Sequence, residues 1–194
     1  MGCEIETKAH VEESDVQRLF DRISSFEDSR LIGEIDKEDF YWAKHEDDPP
    51  SFRTRREVSS NGSRILFTSK PLKKKDYSTE YNIENEFSST SDQWENILNF
   101  VRGLGYVVCR LKWKKGWEFM VSQDGFDVHV EILNVKFLGW FLEMEICGED
   151  LDSMDKEGCD RALFNLLDRC QISRDAVEIR GFNKLLTACG HPRG

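Results

Sequence analysis

Charged and apolar residues alternate along one short segment after another, and that alternation limits the possible folds more than any other property of the chain. In Cys3–Val11, Glu4, Glu6, Lys8 and His10 fall on one set of alternate positions; Cys3, Ile5, Thr7, Ala9 and Val11 fall on the other. A strand sends successive side chains to opposite faces, so such a segment has one charged face and one apolar face. The pattern recurs with Arg53, Arg55 and Glu57, with Arg64, Leu66, Thr68 and Lys70, and with Glu80, Asn82, Glu84 and Glu86. It recurs again with Arg110, Lys112 and Lys114, with Asp127, His129 and Glu131, and with Glu143 and Glu145. Asn61-Gly62 between Phe52–Val58 and Ser63–Ser69 is a hairpin signal. Lys115-Gly116 and Asp124-Gly125 divide Tyr106–Leu133 into three strands. With Leu138–Cys147 and the segments 3–11, 31–44 and 77–87, the count reaches about nine strands.

Three segments have helical spacing instead. Ser14–Phe26 carries Val16, Leu19, Phe20 and Ile23, with Ser14 and Gln17 set as a capping box. Thr90–Arg102 carries Trp94, Ile97, Leu98 and Val101 and ends at Gly103, and Leu151–Cys170 carries Leu163, Leu166, Leu167 and Cys170. A short fourth helix covers Asn183–Cys189. The expected class is α+β, one domain over residues 1–194, dominated by an antiparallel sheet that curls or closes. If amphipathic helices cover the outside of a curled sheet, the apolar faces point outward and the charged faces line the interior. Such an interior is tolerable only when hydrated and charge-balanced. Six cations (Lys8, Arg53, Arg55, Lys70, Arg110, Lys112) and six anions (Glu4, Glu6, Glu84, Glu131, Glu143, Glu145) are the candidates for it, and they cancel.

The net charge of −10 argues against wholesale binding to nucleic acid or to a membrane surface. No apolar run approaches the roughly 20 residues that span a bilayer. The opening MGCEIETK is charged within four residues, lacks a secretory core and has Glu6 where a myristoylation signal needs Ser or Thr, so a cytoplasmic location is expected. Six cysteines, at 3, 109, 147, 159, 170 and 189, have neither zinc nor CxxC spacing and are expected reduced; the Asn61-Gly62-Ser63 sequon is then only a turn.

A lining of mixed sign suits a triphosphate that travels with a divalent metal. Arg and Lys donate to phosphate oxygens, Arg often through two bonds, while carboxylates hold Mg2+ or Mn2+. A site for a bare anion would have no use for the acids.

In this order the motifs resemble those of the CYTH, or triphosphate tunnel, family. Its E-x-E-x-K opening is Glu4-Ile5-Glu6-Thr7-Lys8, its R-x-R strand is Arg53-Thr54-Arg55, and its lone lysine is Lys70. Its L-G-x-F-x-E-x-E element is Leu138-Gly139-Trp140-Phe141-Leu142-Glu143-Met144-Glu145, and Ile179–Leu186 resembles its closing segment. Two positions depart from it. The basic pair is reversed, Arg110-Leu111-Lys112, and Leu133 stands where the family has an aspartate, with Glu131 available as a substitute two residues earlier. The resemblance implies a closed or nearly closed eight-stranded antiparallel barrel, open as a tunnel and surrounded by helices. It also implies metal-dependent chemistry on tripolyphosphate, thiamine triphosphate or ATP, by a monomer or homodimer, with Mg2+ or Mn2+.

On this reading Glu4, Glu6, Glu131, Glu143 and Glu145 hold metal, and Arg53, Arg55, Lys70, Arg110 and Lys112 grip phosphates. Lys8 is the candidate catalytic residue, placed to help activate water. Hydrolysis by a triphosphatase and cyclisation of ATP by a class IV adenylyl cyclase would use the same charges. His10, His129 and Tyr41 read first as structural, Lys184 as a residue able to close over phosphates, and Lys73-Lys74-Lys75 as a solvated loop. A non-catalytic RNA- or polyphosphate-binding module is the competing class. For RNA it would use Arg110, Lys112, Trp113, Lys114, Lys115 and Trp117, although nucleic acid fits poorly with the acids on the inner face.

Overall fold

The computed structural model describes residues 2–60, 62–76, 79–150 and 152–190, and the side chains of 71–76 lie outside the described set. Eight strands, β1 (Gly2–Val11), β2 (Ser29–Ala43), β3 (Phe52–Ser59), β4 (Gly62–Asp76), β5 (Thr79–Thr90), β6 (Val107–Gln123), β7 (Phe126–Val135) and β8 (Gly139–Gly148), form a closed antiparallel barrel. The order around it is β1-β5-β4-β3-β2-β6-β7-β8, so the first and last strands pair and close it. Among the described residues four α-helices accompany it: α1 (Val16–Ser24), α2 (Trp94–Gly103), α3 (Lys156–Arg169) and α4 (Phe182–Ala188).

The strand count falls from nine to eight because Lys115-Gly116 is not a turn. β6 runs unbroken past it, pairing Gly116 with Ile35 and Leu133. The glycine is there for clearance, since a Cβ at 116 would stand 1.8 Å from the Ile132 carbonyl oxygen of β7. Asp124-Gly125 does turn: both residues have positive φ, 52° and 87°, as a two-residue hairpin between right-twisted strands requires. Asn61 lies outside the described residues, but β3 and β4 pair from Ser59↔Gly62, with Gly62 at φ 125°. The backbone of Lys73–Lys75 belongs to β4, opposite Asn82, Tyr81 and Glu80, and is not a loop.

The apolar strand faces point outward, as expected. Ile5, Val130, Ile132, Leu142 and Met144 are buried beneath Leu19 and Ile23 of α1 and Leu163, Leu166 and Leu167 of α3. Each fully buried Leu or Ile contributes roughly 1.5–3 kcal/mol, so this outer layer and not the barrel interior supplies most of the hydrophobic stabilisation. Leu98 and Val101 of α2 cover Trp42. Helix α3 begins at Lys156 and not near Leu151, because the Asp155 carboxylate caps it, accepting from Gly158 N at 3.0 Å. The Ser14/Gln17 capping box does not form. A 3-10 turn at Glu13–Asp15 leads into α1, and the Gln17 amide donates to Asp21 instead.

Helix α4 stops one end of the barrel. Phe182 is buried edge-on against Phe141, and Val135 and Leu185 complete the apolar plug. Leu133 shares its strand face with Glu131 and Val135 and is fully buried, at the transition from charged lining to plug. No helix among the described residues is long and apolar enough to cross a membrane.

Candidate functional site

Ring order places the charges on opposing walls. In a ring of eight, β1 lies across from β2, β8 across from β3, and β5 across from β6. Strands β8, β1 and β5 carry Glu143, Glu145, Glu4, Glu6, Glu84 and Glu86; β3, β2 and β6 carry Arg53, Arg55, Lys37, Lys112 and Lys114. All eleven line one cavity of about 1020 Å³. Among the described residues, nine glutamates and nine lysines and arginines share the lining, in line with the expected charge balance.

The basic wall is organised around Asp39, which is fully buried. Asp39 pairs in register with Arg55 on β3 and Lys112 on β6. Its Oδ1 accepts from Arg55 Nε at 2.6 Å, and its Oδ2 from Arg55 Nη2 and from Lys112 Nζ, each at 3.1 Å. Arg53 stands 3.9 Å away. Burial alone would raise this carboxyl, but the three cations hold it well below the usual carboxylate range. One turn of the lining further on, Lys37 ion-pairs with Glu131, which Lys114 also approaches at 4.0 Å. Burial opposes ionisation of Glu131, but Lys37 and Lys114 overcome it and lower its pKa. Glu143 is likewise lowered against burial by its ion pair with Lys114.

The acidic wall is less neutralised. Carboxylate oxygens of Glu4, Glu6 and Glu145 lie within 4.8 Å of one another. Glu4 receives Lys70 and the Asn82 amide, the latter at 2.9 Å, and Lys70 also reaches Glu84 at 2.5 Å. Burial nevertheless keeps Glu4 and Glu6 above the ordinary carboxylate range, with Lys70 opposing it in both. Glu118, His129 and Glu131 form a second such set, their ligand atoms also within 4.8 Å of one another. His129 bridges Glu118 at 3.3 Å and Glu145 at 3.1 Å. Burial disfavours its charged form, yet hydrogen bonds to the two glutamates push its pKa up to about 10.

Of the residues expected in the site, Glu4, Glu6, Lys8, Arg53, Arg55, Lys70, Lys112, Glu131, Glu143 and Glu145 all line the cavity. Arg110 does not: it pairs with Tyr41 in register with Lys112, but its Nη2 donates to Thr187 of α4 at 2.8 Å. Lys114 occupies the lining instead. Lys8 sits with its ammonium 5.5 Å from the Phe182 ring, which Lys112 and Lys114 approach at 5.2 and 5.1 Å. Lys184 reaches the cavity from α4, and Tyr41 lines it beside Lys112. His10 lies outside, bonded to Glu178 and packed on Phe141.

The residues that sequence reasoning missed are Lys37, Asp39, Glu57, Arg64, Glu86, Lys114, Glu118 and His129. Glu57, Arg64, Glu86, Lys114 and His129 were on recognised charged faces. In β2 the run Asp36-Lys37-Glu38-Asp39 is charged on both faces, which hides the inward set. The proposed RNA-binding stripe divides between faces: Lys112 and Lys114 enter the cavity, whereas Trp113 bonds Glu38 and Trp117 stacks on Trp140 outside. All six cysteines are thiols outside any disulfide, and four of them are buried.

No family model and no curated protein matches the chain. Solved structures do. A protein from Pyrococcus horikoshii is 18% identical with a TM-score of 0.70, covering 95% of this chain and 98% of its own. A candidate adenylate cyclase from Vibrio parahaemolyticus is 16% identical with a TM-score of 0.67, covering 95% and 97%. A candidate adenylyl cyclase from Hippeastrum, with a dominant triphosphatase activity, is 14% identical with a TM-score of 0.63, covering 97% and 96%. At these identities the likeness is one of fold, and with the motif order it gives this chain the closed eight-stranded barrel fold of the CYTH, or triphosphate tunnel, proteins.

Proposed function

We propose that the barrel binds a triphosphate with a divalent cation, Mg2+ or Mn2+, and hydrolyses one of its phosphoanhydride bonds. The observation that carries this reading is the two-walled lining, with Lys37, Arg53, Arg55, Lys112 and Lys114 facing Glu4, Glu6, Glu143 and Glu145. The trio of Glu4, Glu6 and Glu145 fits a hard cation: its donors are all oxygen, they converge, and the protein's own cations leave Glu4 and Glu6 under-neutralised. A cation held there would offset phosphate charge and acidify water. Glu131 and Glu143, already paired with lysines, would support the trio from beside it.

Phosphoryl transfer demands positioning and charge stabilisation more than a protein nucleophile. Arg53, Arg55, Lys112 and Lys114 would hold successive phosphate oxygens, and Lys70 would exchange part of its contact with Glu4 and Glu84 for another. Lys8, buried between Glu6 and Phe182, would stabilise charge at the reacting phosphate and orient water beside it. Hydrolysis is preferred to cyclisation of ATP because a barrel of this fold, in Hippeastrum, has a dominant triphosphatase activity.

Phosphate release from tripolyphosphate, thiamine triphosphate and ATP, with Mg2+, Mn2+ or chelator, tests the proposal. Metal-dependent release is expected, with loss in Glu6→Gln and Glu145→Gln. Full metal-dependent turnover in both variants would refute the metal site. Cyclic AMP and pyrophosphate as the products from ATP would replace hydrolysis by cyclisation.

A further inference from the structure

We propose that Asp39 is a positioning residue that sets the spacing and direction of Arg53, Arg55 and Lys112, and thereby which phosphate chain the basic wall accepts. The inference rests on the triphosphate reading above. Asp39 is fully buried and is not part of the cavity lining, whereas Arg53, Arg55 and Lys112 are. It therefore stands behind the cations, out of reach of a ligand. Its place on one rung of the barrel, directly between Lys112 of β6 and Arg55 of β3, lets a single carboxylate hold side chains from both flanking strands.

The contacts are specific in direction. Arg55 gives Asp39 both Nε and Nη2, at 2.6 and 3.1 Å, so two of its three guanidinium nitrogens are committed and the fork cannot swing. Lys112 at 3.1 Å and Arg53 at 3.9 Å approach the same Oδ2. Without that negative charge three adjacent cations, two of them buried, would repel one another, and each would seek a different counter-ion. Arg53 already has Thr68 at 2.9 Å and Glu86 at 3.9 Å on its far side. The separation between the Arg53 and Arg55 heads is thus the property that Asp39 controls. Phosphates bridged at a fixed repeat will be sensitive to it.

Asp39→Asn retains the shape, removes the charge and turns one acceptor into a donor facing donors. Steady-state kinetics with tripolyphosphate and with ATP, alongside melting temperatures, test the role. In Asp39→Asn the KM for tripolyphosphate should rise on the order of tenfold, the scale of one charged hydrogen bond. The ratio of kcat/KM between tripolyphosphate and ATP should change. A merely structural role would lower kcat for both substrates by one factor, leaving KM and that ratio as in the native protein, and that result overturns the proposal. Should Asp39→Asn fail to fold, Asp39→Glu carries the test: the charge stays, the carboxylate moves by one methylene, and the ratio must still shift. Native protein that turns over no triphosphate would overturn the functional reading and this inference together. Native turnover with an unchanged ratio in a folded variant would overturn this inference alone.

Discussion

Replacing Gly116 by alanine should destabilise the barrel by an amount that follows from one close approach. The added Cβ would meet the Ile132 carbonyl oxygen at 1.8 Å, the Ile132 carbonyl carbon at 2.9 Å and Leu133 Cα at 3.1 Å. A tolerable carbon–oxygen separation is about 3.3 Å, so β7 must retreat by about 1.5 Å from a strand spacing of about 4.8 Å. All three obstructing atoms are backbone, and no side chain can turn aside to relieve the contact. Overpacking of this kind costs about 1–3 kcal/mol, and a weakened ladder bond beside it about 1 kcal/mol more. For a chain of this size each kcal/mol lowers Tm by roughly 2–4 °C, so the expected loss is on the order of 10 °C. Thermal melting by circular dichroism and urea unfolding would read it. Gly103→Ala is the control: nothing lies within 4 Å of its Cβ near the end of α2, and the variant should be slightly stabilised. The disturbance should also reach the lining, because Glu118 and Glu131 pair two residues away on the same strands. A Gly116→Ala protein melting within about 1 °C of the native one would refute both the close approach and the continuous β6 it implies.

Two further outcomes concern pH. His129 has its pKa raised to about 10, so its ion pairs contribute stability fully below the unfolded value near 6.5 and lose it as pH rises through about 10. Urea midpoints of native protein and His129→Gln, compared from pH 6 to 10, should converge as pH increases; a constant difference would contradict this. Glu4 and Glu6 are held above the ordinary range, so a cation at the trio must displace protons. Mn2+ affinity measured by electron paramagnetic resonance should therefore rise with pH through the acid range and flatten in Glu6→Gln, whereas pH-independent binding would place the ion elsewhere.

The legible parts of this molecule were those where charge falls mainly on one strand face, Arg56 being the lone charge on the outer face of β3. In β1, β3 and β8 the alternation of Glu4/Glu6, Arg53/Arg55 and Glu143/Glu145 marked inward residues directly, and helices able to cover the opposite face implied a closed lining. Strand β2 concealed Lys37 and Asp39 because Asp36 and Glu38 carry charge on the outer face too. Only pairing with Arg55 and Lys112 distinguishes the two sets. The two Gly dipeptides of the meander show a similar limit. Asp124-Gly125 supplies left-handed geometry at a turn, while Gly116 supplies space in mid-strand, and composition does not separate these uses. Arg110 keeps the strand face expected of it, pairing with Tyr41 two residues from Lys112, but its guanidinium is taken up by Thr187 of α4, a tertiary contact that no periodic reading anticipates.

The closure of β1 on β8 has a consequence for how the chain is made. Cys3–Val11 finds its partners in Trp140–Gly148, and its other edge waits for Glu80–Glu84. At ribosomal speeds of roughly 5–20 residues per second, the first strand emerges on the order of ten seconds before the strand that seals it. During that interval it is an unpaired edge, the kind of surface that recruits other chains. Glu4, Glu6 and Lys8 are then exposed charges on alternate positions, and charge on an edge strand opposes such pairing. The residues proposed to hold metal in the finished barrel would thus guard the nascent one, and neutral substitutions among them should raise aggregation during synthesis.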